Sequence, residues 1–181
     1  MQESHPAYRN SQVSIHWIIA ALVVFQLIFG EDIKLYGRAL RREDGPDTVT
    51  FLMGNAHIWV GIAILLLTLI RIFLKLKFGT PEDPPTMTRL MHIASRVVYG
   101  LFYLLLIVAP ITGALAWFGG FREIGDIHEL VKPALIVLIV VHLAAALYHK
   151  FVLKDGVMER MLPMLKGPDA SDGPAHHSSQ A

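Results

Sequence analysis

Residues 127–153 read IHELVKPALIVLIVVHLAAALYHKFVL. At 1.5 Å per residue such a run makes a helix about 40 Å long, more than the roughly 30 Å of hydrocarbon in a bilayer. It predicts a membrane span. Its histidines set it apart, because an ionisable residue at membrane depth is costly and by default faces the bundle interior or marks a functional path. His128 and His142 are fourteen positions apart. At 100° per residue that is about 1400°, some 40° short of four full turns, with about 21 Å of rise. The two rings stand on one face, one above the other. His149 follows seven positions later, also cofacial, but only about 10.5 Å further along the axis.

Three more runs have the same character: VSIHWIIAALVVFQLIFG at 13–30, AHIWVGIAILLLTLIRIFL at 56–74 and VVYGLFYLLLIVAPITGALAWF at 97–118. None alternates as a barrel strand would. The expected fold is therefore all-α, an integral membrane four-helix bundle formed by residues 1–166. The remainder, 167–181, reads as a disordered tail, and its His176 and His177 carry no site reasoning. The first run is expected to stay in the mature chain: only Arg9 is strongly basic before it, and no small-residue cleavage pattern follows.

Composition agrees and narrows the function. Of 181 residues, 54% are hydrophobic and 17% charged, beyond the apolar share of soluble domains. The absence of cysteine excludes disulfides, thiolate zinc, iron–sulfur clusters and covalently attached haem. A net charge of +1 argues against nucleic-acid binding by overall charge. Four spans put both termini on one side. Ten of the sixteen basic residues then share that side with the termini and six lie opposite, diluted by acidic neighbours. The positive-inside rule makes the termini cytoplasmic and the loops at 31–55 and 119–126 external.

The histidines now pair by depth. A b-type haem is held between two neutral imidazoles facing each other across a bundle core, and a transmembrane electron path uses one haem per leaflet. Centres about 10 Å apart along a helix would crowd two porphyrins, whereas about 20 Å gives each its own layer, which selects His128 with His142. His57 begins the second span at the external side and His16 begins the first at the cytoplasmic side. The expected pairs are His57 with His128 outside and His16 with His142 inside. Depth alone also allows His149 in place of His142.

Other residues have simpler expectations. Trp17, Trp59 and Trp117 read as interfacial anchors, and His92, beside Arg89 and Arg96, as an interfacial side chain. Arg71 and Arg96 are expected to reach the cytoplasmic surface, with pairing to haem propionates as their alternative role. Pro110 should kink the third span. Gly61, Gly100, Gly113 and the alanines at 144–146 would admit a flat ligand or a close helix. Lys34, Arg38, Arg41, Arg42, Arg122 and Lys132 could draw an anion to the external face, although five carboxylates share the same loop.

Five stretches carry a resemblance: SIHW at 14–17, NAHIWVGI at 55–62, LMHIASRVVY at 90–99, HE at 128–129 and VHLAAALYHKFVLKDGVMERMLP at 141–163. Together the chain over residues 8–163 resembles the bacterial cytochrome b561 family, four-helix dihaem proteins of the inner membrane. The resemblance implies two b haems with axial ligands His16, His57, His128 and His142. It implies electron transfer between an external one-electron donor and the quinone pool. Some members are superoxide oxidases that reduce ubiquinone, so superoxide would meet the outer haem and ubiquinone the inner one, with His149, Ser14 and Lys150 as candidate contacts to the quinone head group. Another reading has the same haems serving as membrane anchor and electron conduit for a partner dehydrogenase or hydrogenase subunit. A histidine-lined divalent-metal carrier would need carboxylates at depth, and none lies deep in the first three spans.

Overall fold

The computed structural model describes residues 8–162. Five α-helices follow one another: α1 Asn10–Phe29, α2 Asp32–Ala39, α3 Thr48–Phe78, α4 Arg89–Gly119 and α5 Arg122–Tyr148. A π-helical turn His149–Leu153 and a 3-10 turn Glu159–Met161 complete the chain. No strand occurs among the described residues. α1, α3, α4 and the run from α5 through the π turn are long and apolar enough to span a bilayer. The fold is the expected all-α, four-helix membrane bundle. The tail at 167–181 lies outside the described residues.

α3 and α4 run well past the apolar segments that define them in sequence, 31 residues each, about 46 Å against about 30 Å of hydrocarbon. Polar caps rather than hydropathy set these ends. The Asp47 carboxylate accepts hydrogen bonds from the Val49 and Thr50 N–H groups at 2.9 and 3.0 Å, and the Thr88 hydroxyl accepts from Met91 N at 3.3 Å. Gly120, left-handed at φ 71°, stops α4.

The loop at 31–55 holds a helix where the sequence reading has only loop. α2 is short and half polar, so it has no membrane signature, yet it is pinned by Tyr36. That ring is buried, stacks on Trp117 at 5.5 Å and meets Phe51 edge-on at 6.0 Å. Its hydroxyl accepts from Asn55 Nδ2 at 3.2 Å. Gly54 makes room for it: a Cβ there would fall 2.3 Å from the Tyr36 ring. Trp117, near the end of α4, thus clamps α2.

The buried core is one cluster drawn from all four spans: Ile19 and Val23 of α1, Ile64 of α3, Leu106 of α4, and Val131 and Leu135 of α5. Much of the remaining apolar surface faces outward, as with Val24, Phe73, Leu104 and Val140, which suits lipid contact. Close backbone packing joins α1 to α3, α2 to α3, α3 to α4 and α4 to α5. The pairs α1–α5 and α3–α5 are not closely packed in this way. These are the pairs whose histidines face each other.

Candidate functional site

α5 contributes one histidine to each of two facing pairs. Near the end of the bundle that α2 covers, the His57 and His128 ring centroids are 6.0 Å apart with planes at 89°. Toward the other end His16 and His142 are 6.3 Å apart with planes at 66°. These are the pairings the fourteen-residue spacing predicts. His149 joins neither pair; its Nδ1 lies 2.6 Å from Asp155 Oδ2.

The outer pair is tightly held. His128 Nδ1 lies 2.9 Å from the Ala109 carbonyl oxygen of α4. A carbonyl only accepts, so the hydrogen is assigned to Nδ1 and the Nε2 lone pair is left available. Gly113 lies against the same ring, where a Cβ would come 3.0 Å from His128 Cε1. Opposite, a Cβ on Gly30 would meet His57 Cε1 and Nδ1 at 3.4 Å, and Gln26 Nε2 donates to the His57 carbonyl at 2.7 Å. Gln26 Oε1 and His57 Nδ1 are both buried without a hydrogen-bond partner.

Aromatic edges surround the inner pair instead. Trp17 flanks His16 at 5.6 Å, and Phe102 flanks His142 at 5.4 Å. Among the described residues neither ring nitrogen of His16 or His142 has a protein hydrogen-bond partner. Arg71 reaches from α3 to α1, where Nη1 donates to the Gln12 carbonyl at 2.8 Å. Gln12 itself is buried and donates Nε2 to the Gly79 carbonyl at 3.0 Å. Arg96 is exposed on α4.

The start of α1, the segment after α5 and the 79–88 loop meet on one side of the bundle. Trp17 Nε1 donates to the Met161 carbonyl at 2.7 Å, and Arg160 Nη1 donates to the Glu82 carbonyl at 2.7 Å. Thr86 donates its hydroxyl to Asp155 Oδ2 at 3.0 Å, and Lys150 pairs with Glu159. His92 pairs with Asp83, in keeping with an interfacial place. Burial works to raise the Asp155 carboxyl, but bonds from His149, Val157 N–H and Thr86 outweigh it and hold the group below its ordinary value. Ser14 is exposed on α1.

On the opposite side the expected basic surface is partly neutralised. Lys34 pairs with Glu129 at 3.0 Å and with Glu31 at 3.4 Å. Lys132 pairs with Glu31 at 2.9 Å. Hydrogen bonds from Lys132 and Lys34 hold the Glu31 carboxyl below its usual range. Arg38, Arg41, Arg42 and Arg122 form no ion pair among the described residues, so the attraction for an anion narrows to them.

Sequence reasoning missed Gln12, Gln26, Asp155 and the fully buried Thr68, whose hydroxyl has no partner. Gln26 had a signal: it is the lone polar side chain between Trp17 and Gly30. Asp155 had none, because its importance comes from a turn that folds it back onto His149.

Four helices long and apolar enough to cross a bilayer, with imidazoles paired at two depths, define the class: a multi-pass membrane protein with facing histidines in its bundle. The chain belongs to the prokaryotic cytochrome b561 family, whose model matches residues 7–164. It is 37% identical over 157 residues to cytochrome b562 of Cereibacter sphaeroides, covering 87% of this chain and 96% of that protein. To a probable superoxide oxidase CybB of Yersinia pestis it is 30% identical over 184 aligned positions, covering 90% and 99%. Cytochrome b561 homolog 1 of Escherichia coli K12 is 25% identical over 180 positions, covering 88% and 98%. The family binds haem b and transfers electrons in the membrane, so this chain is an oxidoreductase-type electron carrier.

Proposed function

We propose that the chain holds two b haems and passes electrons from superoxide, outside a bacterial inner membrane, to ubiquinone near the cytoplasmic side, with both termini cytoplasmic. His57 and His128 would hold the outer haem, and His16 and His142 the inner one. One observation carries this reading: two facing imidazole pairs, 6.0 and 6.3 Å between centroids, share α5 at a fourteen-residue interval. A metal–imidazole nitrogen bond is about 2 Å and the ring centre lies about 1 Å behind that nitrogen, so two rings on one iron have centroids about 6 Å apart. The donor set fits. The bond from His128 Nδ1 to Ala109 also leaves the nitrogen that iron requires free.

Bound haem supplies reversible one-electron chemistry; the protein's own groups position and protonate. Two superoxide anions release two electrons and become two dioxygen molecules, and one quinone takes up those electrons with two protons to become quinol. Arg38, Arg41, Arg42 and Arg122 supply positive potential on the external face. Arg71, half-buried between α3 and α1, and Arg96 are the cations for the inner propionates. Of the residues read for the quinone head group, His149 has the surroundings that suit the role. Lys150 is engaged by Glu159, and Ser14 is exposed. The superoxide assignment also draws support from the Yersinia pestis relative's name.

The test is rapid mixing of purified oxidised protein with superoxide while the haem absorption is followed. Reduction at a rate approaching the diffusion limit, followed by reoxidation on adding ubiquinone, is the expected result. Slow reduction that accelerates only with a docked redox protein would assign the chain instead as an electron conduit for that partner.

A further inference from the structure

The cytoplasmic turn after α5 holds a charge arrangement that electron transfer alone does not require. The helix there changes to π geometry at His149–Leu153, a feature common at functional sites. Lys154 then takes a left-handed conformation at φ 50°, which a side-chain-bearing residue seldom adopts. The result folds Asp155 back beneath His149. The Asp155 side chain is 2% exposed and that of His149 13%. Asp155 Oδ2 faces His149 Nδ1 at 2.6 Å and the Thr86 hydroxyl at 3.0 Å, while Oδ1 accepts from Val157 N–H at 3.2 Å.

We propose that Asp155 is a positioning residue that keeps His149 in the Nδ1–H form, so that His149 Nε2 delivers protons to the quinone oxygen. This rests on the quinone reading above. A carboxylate accepting from Nδ1 fixes the imidazole tautomer and stabilises its protonated form, as in hydrolytic triads. His149 follows His142 by seven residues on α5 and the turn that continues it, one layer, about 10 Å, nearer the cytoplasmic surface on the same face. It is therefore on the electron-exit side of the inner pair. Each proton leaves Nε2 for a quinone oxygen, the neutral Nδ1–H imidazole stays bonded to the Asp155 carboxylate, and Nε2 takes a new proton from cytoplasmic water. Two such transfers match the two electrons that form one quinol.

The charged groups around this dyad are largely engaged elsewhere. Glu159, whose field reaches Asp155, is paired with Lys150. Asp83 of the 79–88 loop is paired with His92 of α4, and Arg160 is bonded to the Glu82 carbonyl. From that loop the group touching Asp155 is the uncharged Thr86 hydroxyl.

The experiment uses full-length haem-loaded protein, chemically pre-reduced and mixed with a short-chain ubiquinone, with haem reoxidation followed from about pH 5 to 9. Asp155→Asn should keep its haem content and spectrum and its rate of reduction by the external donor, while reoxidation by quinone slows at least tenfold with an altered pH profile. Asp155→Glu should recover part of the rate. Arg160→Gln, which removes a different tie of the same segment, should reoxidise like wild type; equal slowing there would reduce Asp155 to a structural role and overturn the proposal. Asp155→Asn reoxidising within twofold of wild type, with an unchanged pH profile, overturns it as well. Wild-type protein that quinone fails to reoxidise would refute the acceptor assignment itself, a result distinct from the other two.

Discussion

The two histidine pairs have the same ligand chemistry and different supports. At the outer level a glycine lies against each ring, His128 Nδ1 is bonded to the Ala109 carbonyl, and Gln26 grips the backbone of His57. At the inner level the rings rest on the edges of Trp17 and Phe102, and the nearby polar groups, Arg71 and Gln12, bond backbone carbonyls instead. Hydrogen-bonded ligand shells fix ring orientation and tune a metal. The outer pair is thus the more rigidly set and the inner pair the more adaptable.

The largest expected effect separates the levels outright. His57→Ala or His128→Ala should remove the outer haem and leave the inner spectrum intact, and His16→Ala or His142→Ala should do the reverse. Haem quantification with redox titration reads both results. If His149→Ala loses a haem while His142→Ala keeps both, the inner pairing is wrong. Next comes Gly113→Ala, whose Cβ would press on the His128 ring at 3.0 Å. It should weaken outer-haem retention by roughly tenfold, the scale of ligand-support losses, and shift the outer midpoint potential. Gln26→Leu removes the extra donor to the His57 carbonyl, a loss of about 0.5–1.5 kcal/mol for one hydrogen bond, and should move the outer potential alone.

Acid should act on the other end. Asp155 has its carboxyl lowered in the folded protein, so the stability it adds is complete above the ordinary carboxylate value and is lost as pH falls through the lowered one. Protection factors against hydrogen exchange in residues 149–162 should therefore fall on acidification before those of the bundle core do. The smallest effect belongs to the external ion pairs. Glu31 is 58% exposed, so Lys132→Gln should cost under about 1 kcal/mol in thermal unfolding, and less in high salt.

The architecture was legible because hydrocarbon thickness and helical rise act directly on sequence: apolar runs located the spans, and fourteen residues between His128 and His142 fixed two levels on one face. The places of His57 and His16 at the starts of their spans, at opposite depths, gave them as the facing partners. Helix ends were misjudged because caps such as Asp47 and Thr88 lie outside the apolar runs. α2 was missed because Tyr36 earns its burial from Trp117, eighty-one residues away in the chain. The ion pairs that partly neutralise the basic face were illegible for a similar reason, since Lys34 and Lys132 meet Glu129 and Glu31 only after folding. Asp155 depends on a π turn and a left-handed Lys154, and neither has a periodic signature.

The most direct measurement is the number of haems per purified chain, taken from the pyridine haemochrome spectrum against protein mass. Two low-spin b haems per chain are expected, in line with paired imidazoles at both depths of α5. A single haem per chain, or a colourless preparation from haem-replete cells, would contradict the pairing on which the electron path depends.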